Sequence, residues 1–533
     1  MEFANGSIGD TGARQDEDAS RISLIVVAYN AASTLGAALW SVVAQSRPPY
    51  EVIVVDDGST DATREVTESF TGVLPIRLVA EPVNRGVGLA RRTGCDASTG
   101  DTLTFVDSDD LLFPDHLERL SEIYTGSGCI AAARYGRWRP GRELSFVTDE
   151  RAPNLPEAGK QRLGILRGAF ILPASLFSAA DYRAVEGFRD LRAAEDWDVW
   201  IQLIHSGARV VRTSVPTMLY RRRDGQLTSQ DPLATVRCDL EVLEHHEPRL
   251  TGRERRIGRK MIRRRRARAK LIAGQRAAAA GERLRAIRCW WQAAFLDRDF
   301  RRVGPGYDSS VAAAAVARIL GLDDDAAETT RPVEAVTPAR IGDAVVTVVV
   351  LCDDVGGARD GGQRLRATLA SIASQTVPID ELVVVVEPDS NGWPPTATAV
   401  VDRLSSRCSV RTVRSRDHIW HTGVEATAPR VFAFVREGDF WLPEHLEMLL
   451  AVWSPDNVAI GRWLHRQEGA DAPTPEHASV FHLPIMLSSD VYQRLSDSSS
   501  GGTIRVTCHQ ATVLAGCHVR GSSRSPSSDA SGH

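Results

Sequence analysis

Between residues 22 and 107, short apolar runs alternate with amphipathic stretches. ISLIVVA (22–28) is continuous and β-branched. Such a run suits a strand buried on both faces, because a strand with one wet face alternates instead. From Ser33 to Val43, Leu35, Leu39, Val42 and Val43 recur at helical spacing. EVIVVDD (51–57) predicts a second strand, and Ser59, Thr60 and Asp61 offer the capping groups of a second helix. IRLVAE (76–81) predicts a third strand, Arg85 to Ser98 a helix, and LTFVD (103–107) a fourth strand. The β-α-β-α-β-α-β order predicts an α/β fold with a parallel, doubly wound, Rossmann-like sheet.

In such sheets ligands lie beyond the carboxyl ends of the strands. Tyr29-Asn30, Asp56-Asp57 and Asp107-Ser108-Asp109-Asp110 all fall at those ends, so the three clusters are expected to meet in one crevice. Carboxylates crowded this way repel one another, and a cation or a local hydrogen-bonding need must offset that cost. An Asp-x-Asp at a strand end suits Mg²⁺ or Mn²⁺, which take oxygen ligands and complete their shells with water and phosphate. The competing meaning is turn capping, a common use of Asp.

The pattern then repeats. VVTVVVLCDD (345–354) is another buried-strand run, and LGAALWSVVAQSRPPYEVIVVDDGS (35–59) aligns without a gap with residues 365–389. LTFVDSDDLLFPDHLERL (103–120) matches FAFVREGDFWLPEHLEML (432–449). The copies differ where the charge is. Val386 and Glu387 stand where the first copy has Asp56 and Asp57, and Arg436-Glu437-Gly438-Asp439 where it has the 107–110 cluster. The second copy keeps the apolar skeleton, so the carboxylates are not a requirement of the fold.

Taken in order, VVAYN, SVVAQS, EVIVVDDGSTDAT, NRGVGLARRTG, GDTLTFVDSDDLLFPDHL and AAEDWDVWIQL resemble glycosyltransferase family 2 over about residues 21–228. The family's members are inverting, nucleotide-sugar-dependent transferases of GT-A fold. Residues 345–520 resemble the same fold in degenerate form. The resemblance implies that Asp57 hydrogen-bonds the base, usually uracil, with Tyr29 near it and Asn30 and Asp56 in the same nucleotide-sugar pocket. It implies that Asp107 contacts ribose or the metal shell and that Asp109 ligates the metal. Arg85 or Arg91 would hold base or phosphate. Glu195-Asp196 matches the family's acidic motif, with Asp196 as general base. In YRRRDGQLTS (220–229), Arg223 stands where the family often has a histidine near the diphosphate. The implied donor is a nucleotide-sugar, most often a UDP-sugar, and the acceptor a hydroxyl of a glycan, as in polysaccharide synthesis. The alternative is a non-catalytic glycan- or nucleotide-binding protein of the same fold.

Composition narrows the setting. The chain of 533 residues is 43% hydrophobic and 25% charged with a net charge of −4, which describes a soluble multidomain protein rather than a polyelectrolyte binder. Its eight cysteines form no CxxC pair, which points to free thiols in a reducing compartment. Without a leader-like or membrane-spanning run, a cytoplasmic location is expected, peripheral at the inner membrane face at most. GRERRIGRKMIRRRRARAK (252–270) carries eleven basic residues against one acidic. A solvated helix face is its commoner meaning; contact of Arg253–Lys270 with an anionic membrane is the other, and no nucleic-acid partner is expected. The domains read as a disordered 1–20, a catalytic 21–228, a helical 229–325, a linker at 326–344, a degenerate copy at 345–520 and a disordered 521–533.

Overall fold

The structure, a computed structural model, describes residues 20–138, 145–146, 155–221, 231–296, 345–352, 362–386, 393–414 and 430–436, with single positions at 441–446 and four short strands between 457 and 513. The expected 326–344 linker, the tail, residues 1–19 and Arg223 lie outside the described residues. The chain divides into two compact units, each built on one mixed sheet with a parallel half.

The first unit, which takes α1 only as far as Ala38, alternates as its apolar runs predict: β1 (Ile22–Ala28), α1 (Ala32–Val43), β2 (Glu51–Asp56), α2 (Thr63–Glu68), β3 (Ile76–Ala80), α3 (Val87–Ala97) and β4 (Thr102–Asp107). Then come β5 (Leu111–Leu112), α4 (His116–Ile123), β6 (Cys129–Trp138), β7 (Ser145–Phe146), α5 (Gln161–Ile165), β8 (Leu176–Ser178), α6 (Ala179–Arg183), α7 (Glu195–His205) and β9 (Arg209–Arg221). The sheet order is β3-β2-β1-β4-β8-β6-β9-β5, with β7 on β6. β1 to β4 are parallel, whereas β8 joins β4 antiparallel. The order 3-2-1-4 reverses direction at β1, which places the ligand-binding switch point beside the ends of β1 and β4.

The start of that register is clamped. Asp101 N–H donates to the Arg21 carbonyl at 2.8 Å, while the Arg21 N–H and guanidinium both donate to the Asp101 carboxylate, each at 3.1 Å. Ile25, Ile53, Val55, Leu103 and Phe105 form the sheet side of the core, against Phe177, Phe188, Trp197 and Trp200. Phe105 meets Phe188 edge-on at 5.5 Å and Phe177 meets Trp200 edge-on at 5.2 Å, arrangements that aromatic quadrupoles favour. The helix α3 lies unusually close to β1: a Cβ on Gly94 would come within 2.4 Å of Ile25 Cγ2.

Three further helices, α8 (Pro232–His246), α9 (Gly252–Ala279) and α10 (Arg283–Leu296), fall in this same unit. Asp231 caps α8 by accepting from the N–H groups of Leu233 and Ala234. The arginine-rich α9 ties back to the preceding chain: Arg259 to Glu247 (2.7 Å), Arg265 to Asp239 (2.7 Å) and Arg266 to Glu244 (2.8 Å). Arg255 also reaches Glu247 at 3.7 Å, so part of the Arg253–Lys270 charge is matched by nearby carboxylates.

The second unit contains β10 (Val345–Leu351), α11 (Gln363–Ala373), β11 (Glu381–Val386), α12 (Pro395–Ser405), β12 (Ser409–Arg414), β13 (Arg430–Arg436), β14 (Asn457–Ile460), β15 (Ile485–Ser488), β16 (Arg505–Cys508) and β17 (Ala511–Val513). Its sheet begins β12-β11-β10-β13, the same order as β3-β2-β1-β4. The register agrees too. Val27 faces Val55 and Asp107 in the first sheet; Leu351 faces Val385 and Arg436 in the second.

Candidate active site

The candidate site forms around α3. The run from Asp57 to Glu195 is joined through this one helix. Asp57 is buried at the end of β2 and accepts from the N–H groups of Arg85 and Gly86, each at 2.8 Å. Those two bonds hold the loop that leads into α3, and the helix starts at Val87 because Gly86, at φ 93°, leaves the right-handed helical path. A residue with any side chain at Gly88 would meet the Arg189 carbonyl at 2.4 Å and Glu195 Cβ at 3.3 Å, so the first turn of α3 lies directly against the start of α7.

One turn on, Arg91 is buried and its guanidinium is shared. It bonds Glu195 at one end and Asp107 at 2.6 Å at the other, with its face toward the Phe105 ring. A cation between two carboxylates offsets the repulsion that the sequence pattern posed. Arginine suits this place because it stays charged when buried and its fork reaches two partners. Burial works against that charge, yet the negative charge of Asp107, Glu195 and Asp196 raises its pKa still further.

Glu195 and Asp196 open α7, whose first turn carries a third acid, Asp198. The corner before them is tight: Ala194 has φ 61°, a left-handed conformation rare for a non-glycine residue. Burial pushes Glu195 up to about 7, against the pull of Arg91 and with the charge of Asp196 adding to the rise. Asp196 is also raised, chiefly by burial, with Arg91 and its own neighbour's N–H opposing. Its carboxylate accepts from the Trp197 N–H at 2.7 Å. Arg91 thus pairs with Glu195, while among the described residues no cation stands at ion-pair distance from Asp196.

Asp198 has a different task. It is fully buried and accepts two bonds from Arg189 (2.8 and 2.9 Å), one from Gln202 (3.0 Å) and one from His246 Nε2 (2.8 Å). Burial alone would raise it, but His246 and Arg189 hold it below the ordinary carboxylate range. His246 belongs to α8, so this knot fixes the base of α7 to the following helix.

The remaining expected residues are placed as follows. Asp56 is buried and accepts from Ser59 N–H at 2.9 Å and from the Arg64 guanidinium, so it serves the turn into α2. Asn30 has φ 47° and ties the end of β1 to that turn: its N–H donates to Ser59 Oγ (2.9 Å) and its Oδ1 accepts from Thr60 N–H (2.8 Å). Tyr29, beside it, leaves 49% of its surface exposed. Arg85 is exposed and pairs with Glu81 at 3.2 Å. Asp107 and Asp109 are both half-buried, whereas Asp110 is buried, accepts from the Arg221 N–H at 2.9 Å, and is pushed up by burial and then by the charges of Asp107 and Asp109. Asp110 therefore joins the turn to β9.

Among the described residues, no three acidic, histidine or cysteine side chains converge as a metal cage. The pair Asp107 and Asp109 nonetheless supplies hard oxygen donors at a half-open strand end. That donor set fits Mg²⁺ or Mn²⁺, which need only one or two protein carboxylates beside water and phosphate. Sequence reasoning did not find the Arg91 bridge or the Arg189–Asp198–His246 knot. The only local signal was a third acid in EDWD, Asp198, with no assigned use.

Comparison with known proteins bears on the same segment. Residues 23–170 match the family model described as glycosyl transferase family 2. The succinoglycan biosynthesis protein ExoO of Rhizobium meliloti is 39% identical over 229 residues, which covers 39% of this chain and 62% of that protein. An uncharacterized glycosyltransferase of Nostoc is 35% identical over 118 residues, covering 22% of this chain and 36% of that one. The chain thus spans about a third of the Nostoc protein's length. The solved structure of S. aureus TarS 1-349 in complex with UDP-GlcNAc aligns with 53% of this chain and 93% of its own at 16% identity and a TM-score of 0.36. Among the described residues, no helix is long and apolar enough to cross a membrane.

Proposed function

We propose that residues 21–228 are the catalytic domain of an inverting glycosyltransferase that moves a sugar from a nucleotide-sugar, a UDP-sugar, to a hydroxyl of a glycan. The observation that carries this is the Arg91 bridge. It gathers Asp107 from the end of β4 and Glu195 from the start of α7 at the switch point, and it leaves the neighbouring half-buried Asp196 without a cation at ion-pair distance among the described residues. The match to glycosyl transferase family 2 over 23–170 supports the same reading.

The chemistry follows from the charges. Asp196, its proton affinity raised by burial, accepts the proton of the acceptor hydroxyl as that oxygen attacks the anomeric carbon. The new bond joins acceptor oxygen to carbon; the bond to the diphosphate oxygen breaks on the opposite face, so the carbon inverts. Asp107 and Asp109 would hold Mg²⁺ or Mn²⁺, which when bound neutralises charge on the leaving diphosphate. Arg91 keeps Asp107 and Glu195 oriented. Tyr29, exposed at the end of β1, offers a ring to the base, and Asp57 fixes the loop beneath it. The C-terminal unit, with matching strand order and register but Val386 and Arg436 at the twin positions, is a non-catalytic copy.

The test is a panel of UDP-sugars offered to the full chain with and without Mn²⁺. At least one donor should raise the melting temperature in the presence of Mn²⁺ and release UDP. A panel in which no nucleotide-sugar shifts the melting curve or is consumed would remove the transferase reading.

A further inference from the structure

The helix α10, RLRAIRCWWQAAFL, packs against α9 the opposite way from an ordinary amphipathic helix. Its inward face is small: Ala286 and Ala293 are buried, and Trp290 fits against α9 at Gly274, where an added Cβ would approach Trp290 Nε1 within 2.4 Å. Its large apolar residues point away. Leu284, Ile287, Trp291 and Phe295 are 86%, 40%, 59% and 68% exposed. At spacings of three and four they form one stripe along the helix. A contiguous exposed stripe of this kind marks an interaction surface, because scattered apolar residues need no explanation but an aligned row does.

Charge selects the partner. The segment 283–296 contains three arginines and no acid. Arg283 and Arg288 flank the stripe without a carboxylate at ion-pair distance among the described residues, while Arg285 pairs with the adjacent Glu282 at 2.7 Å. Lys270 of α9 lines a cleft of about 550 Å³ with Trp291, Gln292, Phe295 and Leu296. Leucine, tryptophan and phenylalanine on one face with basic residues beside them is the composition of helices that lie in the headgroup boundary of anionic membranes. We propose that α10, joined only by Lys270 at the end of the Arg253–Lys270 segment and not by its arginine face, docks the protein on an anionic bilayer surface, with Leu284, Ile287, Trp291 and Phe295 entering the boundary and Arg283, Arg288 and Lys270 meeting lipid phosphates.

The experiment is vesicle flotation of the full chain with phosphatidylcholine alone and with added phosphatidylglycerol. The protein should float with the anionic vesicles and fail to float with the neutral ones. Leu284→Glu with Trp291→Glu should abolish flotation while the far-ultraviolet spectrum and melting temperature stay unchanged. Arg283→Gln and Arg288→Gln should each weaken binding about fivefold, since one basic residue near such a surface contributes about that much. No flotation of the parent protein overturns the proposal, as does equal flotation of the Leu284→Glu/Trp291→Glu protein. A concentration-dependent dimer that the double variant dissolves, without flotation, would assign the stripe to a second copy of the chain and also overturn it.

Discussion

The two sheets carry the same four strands in the same order and the same register, yet they end differently. In the first, β4 runs out at Asp107, across from Val27; in the second, β13 runs out at Arg436, across from Leu351. Both interiors are valine-rich and buried along β2 and β11. The comparison separates what builds the sheet from what is mounted on it. Continuous β-branched runs suffice for the parallel order, whereas Asp56 and Asp107 at the strand ends of the first unit have Val386 and Arg436 as their counterparts in the second. Acids at those ends must be supported by something the sheet does not supply. In the first unit the support is Arg91, held at depth by the tight seat of α3.

The most severe way to break the contrast is to remove the proposed base. Asp196→Asn should lower sugar transfer by about 10²–10⁴-fold, the usual yield of a positioned general base, with donor affinity changed little. Equal turnover would make the two sheets chemically alike. The next is Arg91→Met, which strips both Asp107 and Glu195 of their shared cation. Removing one side of a buried ion pair costs about 3–5 kcal/mol, and urea unfolding with hydrogen exchange at the β4 amides should report it there, while the β13 amides exchange as before. Equal loss in both sheets would refute the local role of the bridge. The smallest effect comes from Asp198. Its folded-state pKa is depressed, so its contribution is present above the unfolded value of about 3.9 and is lost as pH falls through the folded value. Asp198→Asn should therefore be less stable at neutral pH by about 1–3 kcal/mol, and its stability should fall less steeply with acid below about pH 4 than that of the parent protein.

Much of the fold can be read in the sequence because its signals are local. The run ISLIVVA gives β1 to the residue, and EVIVVDD and LTFVD give β2 and β4 to within one. The helix expected from Arg85 begins two residues later, because Gly86 sits at φ 93°, outside the right-handed helical region. The acids of the site are legible for the same local reason: they stand where strands end. Their partners are not. Arg91 and Glu195 are 104 residues apart, and no periodicity links them. Arg91, expected near base or phosphate, gives its guanidinium to two carboxylates; Asp57, expected on the base, has both oxygens on the backbone of the following loop. Likewise, His246 reaches Asp198 across 48 residues, and the separate helical region expected at 229–325 shares its compact unit with the first sheet through α8 to α10.

One exposed contact far from the acids reports on the register that places them. β4 is buried on both faces, and its Phe105 packs edge-on against Phe188, so sliding the strand by one residue would break that packing and turn every side chain over, Asp107 included. The Arg21–Asp101 fork at the opposite end of the strands forms in the same alignment of β1 with β4. A surface arginine about 20 Å from the carboxylate, at roughly 3.3 Å per residue, thereby marks from the far end the strand alignment in which Asp107 meets Arg91.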